Sequence, residues 1–424
     1  MNGEIKMIFK ILAVFILLVT SNLAYAQEQE EKILTYNDAV EKLHQHPMLE
    51  SVRQQVIEQQ ETANGAGGLP DPMMVFGINN YPADGSGGFD RFAMTSKSIG
   101  FTQKIPNSGV RSASVLAKKQ LSLKAKIAES YTQNQLVAAL NRALVERERV
   151  IQQENLVRQD INLLKQEAAY WDGRLQAGDS ALDERSRVDA ELAQSEAKLA
   201  TLKAERVQFS AELHRLIGTD KVSSAVHVDP YPWPNVLEIF SVLLAQKDVY
   251  VARASVAGAE SAFDPNYQLG VTYAQRDNTG SFDGGDFVSA QVGVSIPLWA
   301  NKNQKPKLRA AQASVRRAEA LLEDARSKWH QSLATQFAKI KETQATKRAL
   351  KEKERSIQTQ ISSLRGSYES NGRLDMLIAA KRNLLKLKIQ LAELDAQYVQ
   401  QVSFYNAAFK KSGELDAQKE GNLS

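Results

Sequence analysis

The sequence predicts a mainly α-helical protein with a small β part, built twice on one plan. Proline is absent between Pro106 and Pro230 and again after Pro306, so each span can form long helix. Between these spans stand short runs in which apolar and polar residues alternate, as in two-faced strands. The third observation is that motifs recur at a constant distance along the chain.

The recurrence indicates a domain duplication, because a period this long does not fit a solenoid of small repeats. Three pairs of motifs carry it, with offsets between 191 and 193 residues: FTQKIP ending at Pro106 and VGVSIP ending at Pro297, Asp71-Pro72 and Asp264-Pro265, and Leu182-Asp183 and Leu374-Asp375. Each copy therefore predicts the order helix, strand, loop, strand, long helix, turn, long helix.

The N-terminus predicts a secretory signal peptide over residues 1–26. Lys6 and Lys10 precede a short apolar run, Ile11 to Val19, and Ala24-Tyr25-Ala26 follows as an A-x-A cleavage site. No later segment reaches the roughly 18 apolar residues of a spanning helix. Cysteine is absent, which excludes disulfides, thiolate metal sites and an acyl-cysteine anchor.

The predicted boundaries follow from these signals. The first repeat covers 27–225, with strands at about 72–80 and 97–105 and long helices at about 108–175 and 181–217. The second covers 226–412, with strands at about 266–275 and 287–297 and helices at about 304–369 and 373–410. A polar tail, 413–424, closes the chain.

The helices show a heptad seam, since apolar residues recur at steps of three and four from Leu384 through Leu391 to Phe409. At about 1.5 Å per residue, a helix from about 108 to about 175 is roughly 100 Å long. Such a length is typical of a structure that bridges a distance. Gly178 and Gly372 interrupt the helical runs and predict hairpin tips.

Four strands cannot close a barrel, and open sheet edges cannot face lipid. Two solutions stay open: a soluble sandwich, or three chains that each lend four strands to a twelve-stranded barrel continued by an α-helical barrel. Small, polar residues on one strand face favour a water-filled lumen. Pro106 and Pro297 then mark the transition from barrel to helices, and Trp299 suits an interfacial aromatic position.

The whole layout resembles the TolC-type outer-membrane efflux channel family, over about residues 33 to 410. The resemblance is carried by LTYNDAVEKLHQHPML, the duplicated strand motifs, AGDSALDERSRVDAEL and YESNGRLDMLIAAKRNLLKLKIQLAEL. It implies a homotrimer in the outer membrane of a Gram-negative bacterium, with a large periplasmic part. It also implies a periplasmic membrane-fusion adaptor and an inner-membrane pump, of RND type, as partners. GLPDPMMVFGINNYP is similar to the subgroup that serves heavy-metal cation efflux.

The resemblance further implies a gate at the periplasmic tips, made of Tyr, Arg and Asp. The matching gate positions in this sequence are Gly178 and Asp183 in the first turn. In the second turn they are Tyr368, Gly372, Arg373 and Asp375. The second turn is about two residues shorter than is usual in the family, which changes the register of its side chains.

Other chemistries find little support in the sequence. The methionines Met48, Met73, Met74 and Met94 could suit Cu(I), but Met73 and Met74 are adjacent and point to opposite faces of a strand. His44 and His46 are two apart, which is wrong for a shared helix face. No catalytic constellation, phosphate loop or cofactor motif is present, so we expect neither an enzyme nor a metal or cofactor site, and no nucleic-acid binding.

The favoured hypothesis is therefore a passive trimeric efflux duct, with heavy-metal cations as cargo. Drugs or polypeptides exported by type I secretion are alternative cargoes for the same duct. The alternative of another class is a periplasmic coiled-coil scaffold whose strands form a small soluble sheet.

Overall fold

The computed structural model describes residues 33–223, 226–233, 238–280, 283–371 and 374–410. In these residues the chain is mainly helical and contains a four-stranded antiparallel sheet, as the sequence predicted. The predicted signal peptide, 1–26, and the predicted polar tail, 413–424, lie outside this part of the chain and stay predictions.

Four helices lie in the described residues of the first half. α1 spans Tyr36–Leu43 and α2 spans Pro47–Gly65. α1 starts with a capping box between Thr35 and Asp38, and the Nδ1 atom of His46 accepts the Met48 N–H at 3.1 Å as the N-cap of α2. α3, Ser108–Gln176, runs for 69 residues, and α4 spans Leu182–Ile217. The proline-free stretch allows α3 this length.

Three further helices belong to the second half. α5 spans Phe240–Ser261, α6 spans Gln304–Asn371 and α7 spans Leu374–Ala407. None of the helices in the described residues is long and apolar enough to cross a membrane.

The main sheet has the strand order β1-β2-β4-β5, with every neighbouring pair antiparallel. Its strands are β1 (Met73–Asn79), β2 (Ser96–Ile105), β4 (Tyr267–Gln275) and β5 (Phe287–Val294). The central contact joins β2 to β4, so the two predicted repeats meet in the middle of one sheet. A second, two-stranded sheet pairs β3 (Glu238–Ile239) with β6 (Phe409–Lys410).

The chain forms two compact units, and each draws segments from both predicted repeats. The first unit includes residues up to His44, Ala139–Val228 and Thr346–Gln400. Its core contains Val150, Val157 and Leu202, against which Ile389 packs. The division into repeats 27–225 and 226–412 thus stays a prediction about duplication and does not describe these units.

The second compact unit contains Gln45–Ala138, Asp229–Ala345 and the residues from Gln401 onward, and therefore holds the main sheet. Its core is aromatic. The ring of Tyr405 meets Phe409 edge-on at 5.1 Å between centroids, and Phe240 stacks on Tyr131 at 5.2 Å.

Candidate functional site: a two-faced sheet and two helical tips

The register of the main sheet sorts its side chains into an apolar and a polar face. Directly opposite residues in neighbouring strands share a face. The set that contains Phe101, Val271 and Ala290 is mostly apolar, with Lys97, Gln103 and Gln275 as its polar members, and we call it the apolar face. Its large exposed members are Met74, Phe76, Ile78, Ile99, Phe101, Tyr267, Leu269, Val271, Tyr273, Val288, Val292 and Val294, whereas Ile105 on the same face is half-buried.

The opposite face, which we call the small face, is mostly composed of glycine and short polar residues. In the middle of the sheet it aligns Gly100, Thr272 and Ser289 across three strands. A Cβ atom on Gly100 would lie only 3.1 Å from the Thr272 Oγ1 atom, which favours glycine at this position. Met73 lies on the small face and Met74 on the apolar face, as the alternation predicted.

Exposure of the apolar face is extensive. The exposed fraction reaches 72% for Phe76 and 74% for Val288. Contiguous apolar patches of this kind on a protein surface indicate a contact with a partner or with lipid. The strands β1 and β5 form the two ends of the sheet order, so each leaves one edge without a strand neighbour in the described residues.

A hydrogen-bonded joint connects the sheet to α3. The Asn266 Oδ1 atom accepts the Asn107 N–H at 2.8 Å, and the Asn107 side chain in turn accepts the Gly109 N–H at 2.6 Å. On the other side, the Asn266 N–H donates to the Ser295 Oγ atom at 2.8 Å. Asn107 thus caps α3 while Asn266 ties β4 to the chain that leaves β5.

The predicted transition prolines flank this joint. Pro106 lies between the last residue of β2 and the first of α3, and Pro297 follows the end of β5. The sequence drew attention to the prolines and missed Asn107, Asn266 and Ser295, which make the contacts. The only signal for them was an asparagine in the N-cap position before Ser108.

Three exposed apolar side chains lie on either side of Pro297. Trp299 is 73% exposed, and Ile296 and Leu298 are exposed to a similar degree. The Trp299 carbonyl accepts the Lys302 N–H at 3.0 Å, so the segment turns before α6 begins. The exposure of Trp299 is the property that an interfacial position would require.

The first helical tip joins α3 to α4. Gly178 has φ of 90°, a left-handed conformation that favours glycine. Arg174 and Asp179 form an ion pair across the turn. Asp183 is exposed in the first turn of α4, where a carboxylate is stabilised by the helix dipole.

The second tip joins α6 to α7. Gly372 and Arg373 lie outside the described residues, and for Tyr368 the helical backbone is described but the side chain is not. Asp375 is half-buried in the first turn of α7. The predicted network of Tyr368, Arg373 and Asp375 therefore stays a prediction.

Close to the second tip in sequence, a buried arginine connects α7 to α3 and α4. The Arg382 Nε atom donates to Asp160 Oδ1 at 2.7 Å, and another guanidinium nitrogen is paired with Glu191. Glu167 lies 3.8 Å from the Arg382 Nη1 atom and is also bound by Arg187 at 2.8 Å. We call these five residues the Arg382 cluster.

A second arginine makes a similar three-helix contact. Arg149 on α3 donates to Glu205 of α4 at 2.9 Å and lies 3.4 Å from Glu393 of α7. The neighbouring Gln153 donates to the Ile389 carbonyl at 3.2 Å. The Arg382 and Arg149 side chains are both buried or nearly so. Loss of either set of ion pairs would therefore cost much unfolding free energy.

The sequence did carry a signal for Arg382. Ile378, Leu385 and Ile389 recur at helical spacing along α7, and Arg382 stands in this row between the first two. A charged residue within an apolar row indicates a buried partner of opposite charge. No group of three His, Cys, Asp or Glu residues that could hold a metal ion occurs in the described parts of the chain.

The comparisons with known proteins agree with this architecture. No model of a known protein family and no curated protein sequence matches the chain. Solved structures do match. CusC, described in terms of folding and transmembrane channel formation, superposes with a TM-score of 0.73 at 15% identity, covering 89% of this chain and 92% of that chain.

Two outer-membrane channels share a TM-score slightly below that of CusC. The CmeC outer membrane channel of Campylobacter jejuni gives a TM-score of 0.70 at 12% identity, covering 91% of this chain and 88% of that chain. OprN gives 0.70 at 16% identity, covering 88% and 89%. The chain therefore has the fold of these channel proteins, and the TolC-type resemblance is confirmed as a likeness of fold.

Proposed function

We propose that the chain is the outer-membrane duct of a tripartite efflux system. It works as a homotrimer that carries substrate passively from an inner-membrane pump, of RND type, and a periplasmic adaptor. The duct has no catalytic step and needs no cofactor. The likeness of fold to outer-membrane channels supports this proposal, together with the physical properties of the sheet.

The observation that carries the proposal is the contrast between the two faces of the main sheet. One face exposes large apolar side chains such as Phe76 and Val288, and the other is small and mostly polar. This division suits a wall between hydrocarbon and water. The free edges of β1 and β5 are what neighbouring copies need, and three copies of four strands give a twelve-stranded closed barrel.

The remaining predicted positions take their roles from this arrangement. Pro106 and Pro297 stand where strands pass into helices, and exposed Trp299 lies at the lipid interface. We propose that the tips, including Gly178, Asp183 and Asp375, dock the adaptor and close the duct, together with the undescribed Gly372 and Arg373 and the side chain of Tyr368.

The cargo is proposed from the sequence resemblance alone. GLPDPMMVFGINNYP favours heavy-metal cations, with drugs and polypeptides as the alternatives. A wide aqueous duct selects weakly, so the pump decides the substrate. We expect a deletion strain to become sensitive to heavy-metal salts. Sensitivity to drugs alone would instead indicate drugs as the cargo, and loss of a secreted polypeptide would indicate polypeptides.

The wall can be tested with two adjacent residues in the middle of β4. Val271 belongs to the apolar face and Thr272 to the small face. A lysine on a lipid-facing position near the bilayer centre costs about 2–4 kcal/mol, whereas a lumen position tolerates it. Val271→Lys should reduce the heat-sensitive trimer recovered from outer membranes in mild detergent. Thr272→Lys, the matched control, should leave it near the wild-type amount.

Two results would contradict the proposal. The first is recovery of the wild-type protein as a soluble periplasmic monomer, which would favour the coiled-coil scaffold. The second is an equal loss of the heat-sensitive trimer in both lysine variants, because a sheet covered on both faces would not tolerate a charge on either face.

A further inference from the structure

A cavity of about 240 Å³ lies between α3, α5 and the small β3–β6 sheet, within the second compact unit. Its wall is rich in amino groups. Lys126 comes from α3, Lys247 from α5 and Lys410 from β6. Ser130 and Gln246 add a hydroxyl and an amide, and Glu238 is the one carboxylate among its lining residues.

Lys410 is the most buried of the three lysines. It is only 7% exposed as a whole residue, and it lies directly opposite Glu238 in the β3–β6 pair. Within the part of the chain that the structure describes, the side chains of Lys410 and Lys126 make no hydrogen bond or ion pair.

Two acidic residues that neighbour the lining residues in sequence, Asp248 on α5 and Glu129 on α3, are already paired. Asp248 is bound to Lys124 at 2.6 Å, and Glu129 to Arg53 at 3.3 Å. Lys247 contacts only neutral groups, the Gln120 amide oxygen at 3.4 Å and the ring of Tyr250. The cavity thus combines three positive charges with the single negative charge of Glu238.

We propose that this cavity binds a phosphate group. The excess of two positive charges matches a phosphate, which carries about −1.5 to −2 charges near neutral pH. Each ammonium group can donate several hydrogen bonds, and the Ser130 hydroxyl and Gln246 amide can donate to the remaining oxygens. The phosphate can be free, or it can belong to a small phosphomonoester. Its binding would join α3, α5 and β6, and it does not depend on the proposed efflux function.

The test is calorimetric titration of the full-length protein in detergent with inorganic phosphate and, separately, with glycerol phosphate, at constant ionic strength set by sodium chloride. We expect binding of at least one of them, and the tighter of the two identifies the source. The double variant Lys126→Gln/Lys247→Gln should weaken binding by at least about tenfold, because charge-assisted hydrogen bonds are lost. The matched control, Lys118→Gln/Lys119→Gln, removes two charges from the same helix without touching the cavity and should bind like the wild type.

Glu238→Gln provides a second variant with an effect of opposite sign. It removes the competing carboxylate from the exposed rim and should tighten phosphate binding several-fold, whether or not the lysine double variant folds. The proposal is overturned if phosphate gives no heat beyond that of chloride. It is equally overturned if the folded lysine double variant binds as tightly as the control, or if Glu238→Gln does not strengthen binding.

Discussion

Replacing Arg382 with methionine should destabilise the contact of α7 with α3 and α4. The Arg382 side chain is 8% exposed and is bound to buried Asp160. Removing one partner of a buried ion pair costs about 3–5 kcal/mol. In this variant Glu167 and Glu191 would keep their ion pairs with Arg187. Asp160 would keep the hydrogen bond that it accepts from the Ser195 hydroxyl at 3.0 Å. These remaining contacts place the expected loss at the lower end, about 3 kcal/mol.

The assay is urea unfolding followed by tryptophan fluorescence, since Trp171 packs in the core beside this cluster. The matched control is Arg355→Met, which removes an arginine that is 75% exposed and paired with Glu352. An exposed pair of this kind contributes less than about 1 kcal/mol. Equal losses of unfolding free energy in the two variants would refute the reasoning that burial makes the Arg382 cluster strong.

The same cluster gives the contact a defined pH dependence. Burial acts to raise the pKa of the Glu191 carboxyl, but hydrogen bonds from Arg382 and Arg187 outweigh it and hold that pKa below its ordinary value. A carboxyl of this type contributes stability above its unfolded pKa of about 4.3, and the contribution is lost as the pH falls through the lower folded pKa. Arg382→Met should therefore narrow the stability difference between neutral pH and pH of about 3.5. An unchanged difference would argue against this assignment.

Four further substitutions have defined outcomes. Burial raises the pKa of Tyr405 to about 12, and its hydroxyl has no hydrogen-bond partner in the described residues, so Tyr405→Phe should leave the melting temperature unchanged or raise it. Asn266→Ala should cost about 1–3 kcal/mol in urea unfolding and speed amide exchange at the start of α3, while unaltered exchange would exclude a role for the joint. Gly178→Ala should cost about 1–2 kcal/mol through its positive φ, whereas Gly173→Ala, inside α3 with open space around it, should stabilise; calorimetric melting would show the opposite signs.

Local sequence patterns predicted the elements well. Alternation placed Val271 and Tyr273 on the apolar face and Thr272 on the other, and the register of the sheet has this arrangement. The absence of proline predicted the long helices, because a proline beyond the first turn, where Pro306 of α6 lies, would have interrupted the hydrogen bonds of α3 or α6. Both signals act within a few residues, which is why one chain suffices to read them.

Contacts between the repeats were much harder to predict. Asn266 and Ser295 join the second strand pair to α3, whereas in the first strand pair the Gln103 amide donates to the Pro70 carbonyl at 2.8 Å. The two contacts use different residues at different positions, so a comparison of the repeats could not reveal either of them. Arg382 and Asp160 are separated by 222 positions, and only the packing of α7 against α3 brings them together.

The surfaces of the sheet and of the helices require two different solvents. The sheet exposes apolar residues such as Phe76 and Val292. The segment 346–366 of α6 exposes Lys351, Glu352 and Arg355 and half-buries only a narrow row that includes Ile357. Water alone would disfavour the first surface, and lipid alone would disfavour the second. A bilayer around the strands with water along the helices satisfies both, which supports the proposed duct. A scaffold in water would instead need another protein surface to cover the apolar face. The two lysine variants distinguish these structures. If the small face borders water, the protein tolerates Thr272→Lys better than Val271→Lys, whereas a sheet covered on both faces tolerates neither.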